Sequence, residues 1–341
     1  MANIRSVAAE AGVSIATVSR VLSGDTDFKV SEQTRQNVLD AAARLRYALP
    51  TVAHRQKKIP IGCILPFTAE KYSDPFFTSI LSAAEAECSR LGAAISVIRN
   101  YNELRDPSVF RELLSSGLSG IFLMERVHSE LLSQLEACIP SILCIDNEET
   151  DYQFDSVGFD PRNANRMVMR CLLACGYQRI AVIGGSSPND PFYESVRLSI
   201  YRESLFHAGL PYREAYIKDC AWDLDLCAVH TRELLSLDVP PDAIIAGSDS
   251  LATAILGTVH AMGLRCPDDV GVIGFNNINL SAHMVPPLTT VSVPTREIGI
   301  AAAQRLMELV RGNGGGIRKI LFPTELIVRS SLKECPSPSP V

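Results

Sequence analysis

Apolar residues in the first fifty positions recur at helical spacing, whereas beyond position 58 they gather into short runs. Ile4, Val7, Ala8 and Ala11 fall on one helical face, and Gly12 interrupts them. A second helix is predicted to start at Ser14, a plausible N-cap, and to run to about Leu22. After the loop "SGDTDFKV", Ser31 and Thr34 open a third, whose apolar stripe is Val38, Leu39, Ala42 and Leu45. From "IPIGCIL" onward the texture changes. The β-branched runs "IGCIL", "AAISVI", "GIFLM", "SILCID", "SVGF", "RIAVIGG", "AIIAG", "VGVIGF" and "TTVSV" alternate with helix-length segments. That alternation predicts an α/β fold with parallel sheets. About nine strands over roughly 270 residues favour two sheets in two lobes over one large sheet.

The chain therefore divides into an all-α head at 1–47, a hinge at 48–59, a two-lobed body at 60–332 and a tail at 333–341. The hinge, "ALPTVAHRQKK", is basic and interrupted by Pro50, and the tail, "CPSPSPV", has a composition expected to be disordered. Helix, Gly-containing turn and helix make the helix-turn-helix pattern. In its second helix Ile15 and Ala16 sit among polar residues, at the end that reaches base edges when a helix enters the major groove. Ser14 and Thr17 suit phosphates or bases, Ile15 and Ala16 suit a thymine methyl, and Arg20 is long enough for a guanine edge. A plain αα-hairpin with one stray apolar surface residue would show the same local pattern.

Charge sharpens this division. Residues 1–58 hold nine basic and five acidic residues, about +4, against −6 for the whole chain, so the body carries about −10. A basic head on an acidic body implies that only the head meets a polyanion. The ten cysteines form no C-x-x-C pair, so reduced thiols and a cytoplasmic location are expected; Cys171 and Cys175, one helical turn apart, read as buried side chains rather than zinc ligands. No apolar run approaches the ~20 residues of a membrane span, and "MANIRSVAAEAG" lacks a signal core, so neither membrane contact nor export is expected. Catalysis is not expected either. "GSDS" lacks the glycines of a nucleophile elbow, "RGNGGG" lacks the Lys-Ser/Thr of a phosphate loop, and the six histidines show no metal spacing.

The string "IRSVAAEAGVSIATVSRVLSG…VSEQTRQNVLDAAARLRY" resembles the head of the LacI/GalR family of bacterial transcriptional repressors nearly position for position. The likeness extends to about residue 332 through "GYQRIAVIGG", "RLSIYRESL", "GLRCPDDVGVIGF" and "PPLTTV". It implies a body like that of periplasmic sugar-binding proteins, two lobes with two parallel sheets and crossovers near 160, 291 and 322. It also implies that Ile15, Ala16 and Arg20 read bases, while Ser14, Thr17, Ser19 and Ser23 bond phosphates, which fix register without encoding sequence. Ile4, Ser31, Thr34, Tyr47 and the hinge positions Ala53 and Gln56 complete the DNA contacts so implied. The family commonly ends its hinge with a Leu that wedges into the minor groove; here that position holds Gln56, which wedges less well.

In the body the resemblance implies an effector site of Asp74, Phe76 and Phe77 from "YSDPFF", Asp146 of "CID", Phe159 of "SVGF", Arg197 and Trp222. Ser248 beside Asp249 and Asn276 of "GFNN" complete it, departing from Asn and Asp in the family pattern. An aromatic plate with a carboxylate and a guanidinium suits a sugar, which has an apolar face and a rim of hydroxyls. Taken singly, a lone Trp is more often packing than a plate, Phe76-Phe77 reads as core, and Arg197 suits a surface acid; their joint fit to one pattern raises them. Asn276 in place of a carboxylate makes the pocket less acidic, and "DPFF" and "GFNN" are similar to strings in the galactoside-responsive branch. The expected partners are a near-palindromic operator, a small sugar effector and a second copy of the chain, with no cofactor and no metal. A sugar receptor without a DNA role, or a corepressor-type or activating regulator of the same fold, remains open on these residues.

Overall fold

Asn3 opens the first helix, α1 (Ile4–Ala11), by accepting from the amides of Arg5 and Ser6, while its own amide donates to the Ser6 hydroxyl. Reciprocal capping satisfies amides that a helix start leaves without partners. Gly12 closes α1 in the left-handed region at φ 66°, where a side chain would be strained, and the Val13 amide reaches back to the Ala8 carbonyl. The next helix, α2 (Ile15–Leu22), starts at Ser14, whose Oγ accepts from the Thr17 amide. The third, α3 (Glu32–Arg44), is capped by Ser31. Val7, Ala8, Val18, Val21, Val38, Ala41 and Ala42 form the head's core. Leu39, expected in that core, is 43% exposed, because the buried stripe runs through Val38, Ala41 and Ala42 instead.

The structure is a computed structural model that describes residues 3–22, 28–47, 58–65, 74–124, 129–146, 154–186 and 191–334. Two compact units result, residues 1–58 and 59–341. Ser23, Ala53, Gln56 and nearly all of the expected hinge and tail lie outside the described residues.

The larger unit begins with β1 (Ile59–Leu65), α4 (Pro75–Arg90), β2 (Ala93–Asn100), α5 (Pro107–Ser115), β3 (Gly120–Leu123), α6 (Ser129–Cys138), β4 (Ile142–Ile145) and β5 (Asp155–Phe159). It continues through α7 (Pro161–Ala174), β6 (Ile180–Gly184), α8 (Val196–His207), β7 (Ile217–Asp219), α9 (Leu224–Leu235), β8 (Ala243–Ala246), α10 (Asp249–Ala261), β9 (Gly271–Asn276) and β10 (Thr289–Ser292). It closes with α11 (Thr295–Val310), β11 (Lys319–Phe322) and β12 (Glu325–Ile327). Two six-stranded sheets form, ordered β11-β5-β4-β3-β1-β2 and β12-β10-β9-β8-β6-β7. Among the described residues every pairing is parallel except β10 with β12. The chain thus passes from the first sheet to the second after β5, returns after β10, and leaves again after β11. Parallel strands with helices on both faces are buried on both sides, which explains the unbroken apolar runs of β3, β4, β6 and β8.

The edge strands β7, β11 and β12 were absent from the nine runs read in the sequence. Each is three or four residues long, and β11 alternates exposed and half-buried positions, so none carries a continuous apolar signal. Helix starts are plainer: α4, α5 and α7 each open with an Asp cap followed by Pro, at Asp74, Asp106 and Asp160. The first lobe is tied together by α11. Arg305, 2% exposed, donates to Asp155 at 2.6 Å and Glu308 at 2.7 Å, and Gln304 donates to Glu87 of α4 at 2.8 Å. Among the described residues Cys63, Cys88, Cys138, Cys144, Cys171, Cys220, Cys227 and Cys266 carry free thiols. Among the described residues no group of His, Cys, Asp or Glu is arranged to hold a metal ion, and no helix is long and apolar enough to cross a membrane.

Candidate functional site

Two surfaces bring the expected residues together, one on each unit. On the head, Val18 and Val21 anchor α2 in the core, while Ser14, Ile15 and Ala16 at its N-terminal turn are exposed. Ile15 is 44% exposed, a position that packing within the head does not require. Ser14 and Thr17 hydroxyls lie 2.9 Å apart, so the cap also fixes two polar groups beside Ile15. Arg20 follows on the exposed side and Ser19 is half-buried. Ser31 and Thr34 repeat the same arrangement at the start of α3, with hydroxyls 2.7 Å apart. Ile4 and Tyr47 are half-buried and pack against the head core. Helix starts with free donors and short hydroxyls suit phosphate oxygens, and an exposed aliphatic side chain beside them suits a base edge.

In the body Asp146, Phe159, Arg197 and Trp222 lie at or just beyond the carboxyl ends of strands, where open α/β sheets bind ligands. Asp146 follows β4 with φ 56°, and Phe159 ends β5. Together with Asp160, Arg162, Val196, Lys319 and Leu321 they line a cavity of about 230 Å³. Phe159 touches Phe275 of β9 across the lobes, centroid to centroid 5.8 Å. Arg197, the second residue of α8, lies with its guanidinium carbon 4.6 Å from the Phe275 ring centre and donates to the Gly247 carbonyl at 3.1 Å. Trp222 sits beside Gly185 and Gly247, 38% exposed, on a turn in which Ala221 and Trp222 both take positive φ. Asp219 holds that turn by accepting from the amides of Ser186 and Ala221 and from the Ser186 hydroxyl. Trp222 approaches so closely that a Cβ on Gly185 would stand 2.4 Å from its backbone nitrogen and 2.7 Å from two indole carbons.

Asn276 has φ 103° and is half-buried; its neighbour Asn277 accepts from Arg329 at 2.8 Å and donates to Ser292 at 3.2 Å. Ser248 is the N-cap of α10. Asp249 has a different duty from the one expected. It is fully buried and accepts from the Ile278 amide at 2.9 Å, from Thr290 Oγ1 at 2.6 Å and from the Ser281 hydroxyl. Burial pushes its carboxyl above the usual range, while the bonds from Ser281, Thr290 and Ile278 pull it down. Both oxygens are therefore engaged inside the second lobe. Asp74 caps α4, and burial likewise raises its carboxyl against the amide bonds of Phe76 and Phe77. Phe76 is 3% exposed and belongs to the core, edge-on to the half-buried Phe77 at 5.0 Å. Phe275 was not singled out from the sequence, because "VGVIGF" reads as a buried strand throughout; Lys319 and Leu321 were missed with the edge strand that carries them.

An exposed helix start on a three-helix head, joined in one chain to a two-sheet body with a polar-aromatic cleft, defines a ligand-responsive DNA-binding regulator. Residues 3–49 match the family model described as bacterial regulatory proteins, lacI family, and residues 169–332 match the periplasmic binding protein-like domain. The chain is 30% identical to the HTH-type transcriptional repressor MelR of Bacillus subtilis (strain 168), covering 97% of each chain. It is 29% identical to the HTH-type transcriptional regulator CelR of Thermobifida fusca, over 95% of this chain and 96% of that one. Among solved structures, a CelR–cellobiose complex superposes with a TM-score of 0.72 at 28% identity, covering 97% of this chain and 100% of that one. The lac repressor dimer bound to operator and the anti-inducer ONPF shares the fold, with a TM-score of 0.72 at 24% identity over 98% and 99% of the two chains. The protein belongs to the lacI family of bacterial regulatory proteins, a family of transcriptional regulators and not of enzymes.

Proposed function

We propose that this protein is a transcriptional repressor that binds a near-palindromic operator as a homodimer in the cytoplasm and is controlled by a sugar or sugar derivative held between its lobes. The observation that carries the reading is the N-terminal turn of α2, with Ile15 44% exposed beside the Ser14–Thr17 pair on a fully formed head core. Residues 1–47 act as the DNA-binding head, 48–59 as the hinge and 60–332 as the effector and dimerisation body. Ile15, Ala16 and Arg20 read bases; Ser14, Thr17, Ser19, Ser23, Ser31 and Thr34 hold phosphates, with Ile4, Tyr47, Ala53 and Gln56 completing the DNA surface. Two α2 helices about one DNA turn apart, ~34 Å, fit a two-fold symmetric site.

Asp146 supplies the carboxylate for ligand hydroxyls, Arg197 the fixed donors, and Trp222 and Phe159 the apolar plates for C–H faces. Asp74, Phe77, Ser248 and Asn276 complete the ligand contacts in this reading. The names of relatives, a repressor and a regulator solved with cellobiose, support both halves of the reading. Ligand that prefers one arrangement of the lobes shifts the DNA-binding equilibrium by its differential affinity. The test is selection of a duplex from random DNA, followed by affinity measurements with mono- and disaccharides, cellobiose among them. A salt-sensitive preference for one near-palindromic site, weakened by a saccharide, is expected. Asp146→Ala and Arg197→Ala should abolish the sugar response and leave operator affinity unchanged. Absence of any preferred duplex overturns the DNA reading; a preferred duplex indifferent to every saccharide overturns the effector reading; tightening by a saccharide makes the ligand a corepressor.

A further inference from the structure

Arg20 leaves the exposed side of α2, and Phe28 stands shortly before the Ser31 cap of α3. The Arg20 guanidinium carbon lies 5.1 Å from the centre of the Phe28 ring, within the range of cation–π attraction. Phe28 is half-buried and packs against the same core that holds Val18 and Val21, so its position is set by the head's interior. A planar guanidinium with one face on a ring keeps its in-plane N–H donors at the edge, and that edge is what a guanine O6/N7 pair accepts bidentately. An arginine already restrained in this way loses less side-chain freedom on binding than one free in solvent.

We propose that Phe28 is a positioning residue for Arg20, holding the guanidinium plane for base recognition and so contributing to operator specificity without touching a base. The inference rests on the reading of Arg20 as a base reader. The contact couples a residue of the loop preceding α3 to the reading surface of α2. Variation at position 28 therefore tunes the preference at the base pair that Arg20 reads.

The test uses the full-length protein and the duplex it selects from random DNA. Affinities for all four base pairs at each position are compared for wild type, Phe28→Leu, Phe28→Tyr, Arg20→Ala and the double variant Arg20→Ala/Phe28→Leu, each checked for an intact thermal transition. Arg20→Ala identifies the base pair. Phe28→Leu should reduce the preference there by roughly two- to fivefold, Phe28→Tyr should keep it, and Phe28→Leu should change nothing further in the Arg20→Ala background. Should the Leu variant lose its fold, Phe28→Met takes its place in the same comparison. A Leu or Met variant with unchanged or sharpened preference at that base pair overturns the inference alone, the sharpened case meaning that the ring holds Arg20 away from DNA. An Arg20→Ala protein that weakens all sequences equally overturns the reading of Arg20 and the inference with it.

Discussion

Replacing Gly185 by Ala should displace Trp222 and, on the proposed reading, one wall of the effector cleft. A Cβ at Gly185 would stand 2.4 Å from the Trp222 amide nitrogen and 2.7 Å from two atoms of its indole. Ordinary contact begins near 3.4 Å, so the Trp222 turn must retreat by about 1 Å. The turn is already unusual, with φ 48° at Ala221 and 60° at Trp222, and it is tied through Asp219 to Ser186, so it has little slack. Overpacking of this kind costs about 1–3 kcal/mol. Borne by the ligand-contacting conformation, that cost lowers saccharide affinity roughly five- to 150-fold. Trp222 is the only tryptophan, so intrinsic fluorescence reports the displacement directly, as an emission shift in the ligand-free protein. Operator affinity without saccharide should be unaltered. Gly257→Ala is the control. Its Cβ would meet nothing within 4 Å on an exposed position of α10, so it should raise stability by roughly 0.5–1 kcal/mol and leave emission unchanged. A folded Gly185→Ala protein with wild-type emission and saccharide affinity would refute the packing argument and remove Trp222 from the cleft wall.

Asp249→Ala strips an acceptor from one buried amide and two hydroxyls and should lower unfolding free energy by about 2–4 kcal/mol in urea titrations. Asp249→Asn keeps an oxygen for Ile278 and should cost about 1 kcal/mol; equal losses for both would mean the network is not what the carboxylate supports. Arg305→Ala leaves Asp155, itself 5% exposed, without its buried partner and should cost roughly 3–5 kcal/mol by the same assay. Acid sensitivity should come partly from Glu87, whose carboxyl is held down to about 2 by hydrogen bonds from Arg90 and then from Gln304 of α11. The unfolded chain takes up that proton near 4.5, so stability present above 4.5 is lost as pH falls towards 2. Glu87→Gln should flatten that part of the pH–stability curve, and an unchanged slope would show that other carboxylates dominate it.

The head was largely legible in the order of its residues. Helix periodicity, the Gly12 break and the Ser14 and Ser31 caps are local signals, and all three helices form where those signals lie. In the body, buried parallel strands announce themselves as apolar runs, whereas β7, β11 and β12 do not, because a short edge strand draws its stability from one neighbour and leaves half its positions wet.

The candidate site divides along the same line. Position at strand ends, together with the family resemblance, marked Asp146, Phe159, Arg197 and Trp222 as able to meet a polar, partly apolar ligand. What those residues do was decided by contacts between segments far apart in the chain. Asp249 looked like a ligand carboxylate until residues 278–290 returned to occupy it, and Phe275 acquired a role only by lying between Phe159 and Arg197. Local sequence sets which conformations and chemistries are available. Which donor meets which acceptor depends on tertiary packing, since a buried polar group must find its partner wherever the fold brings one within ~3 Å.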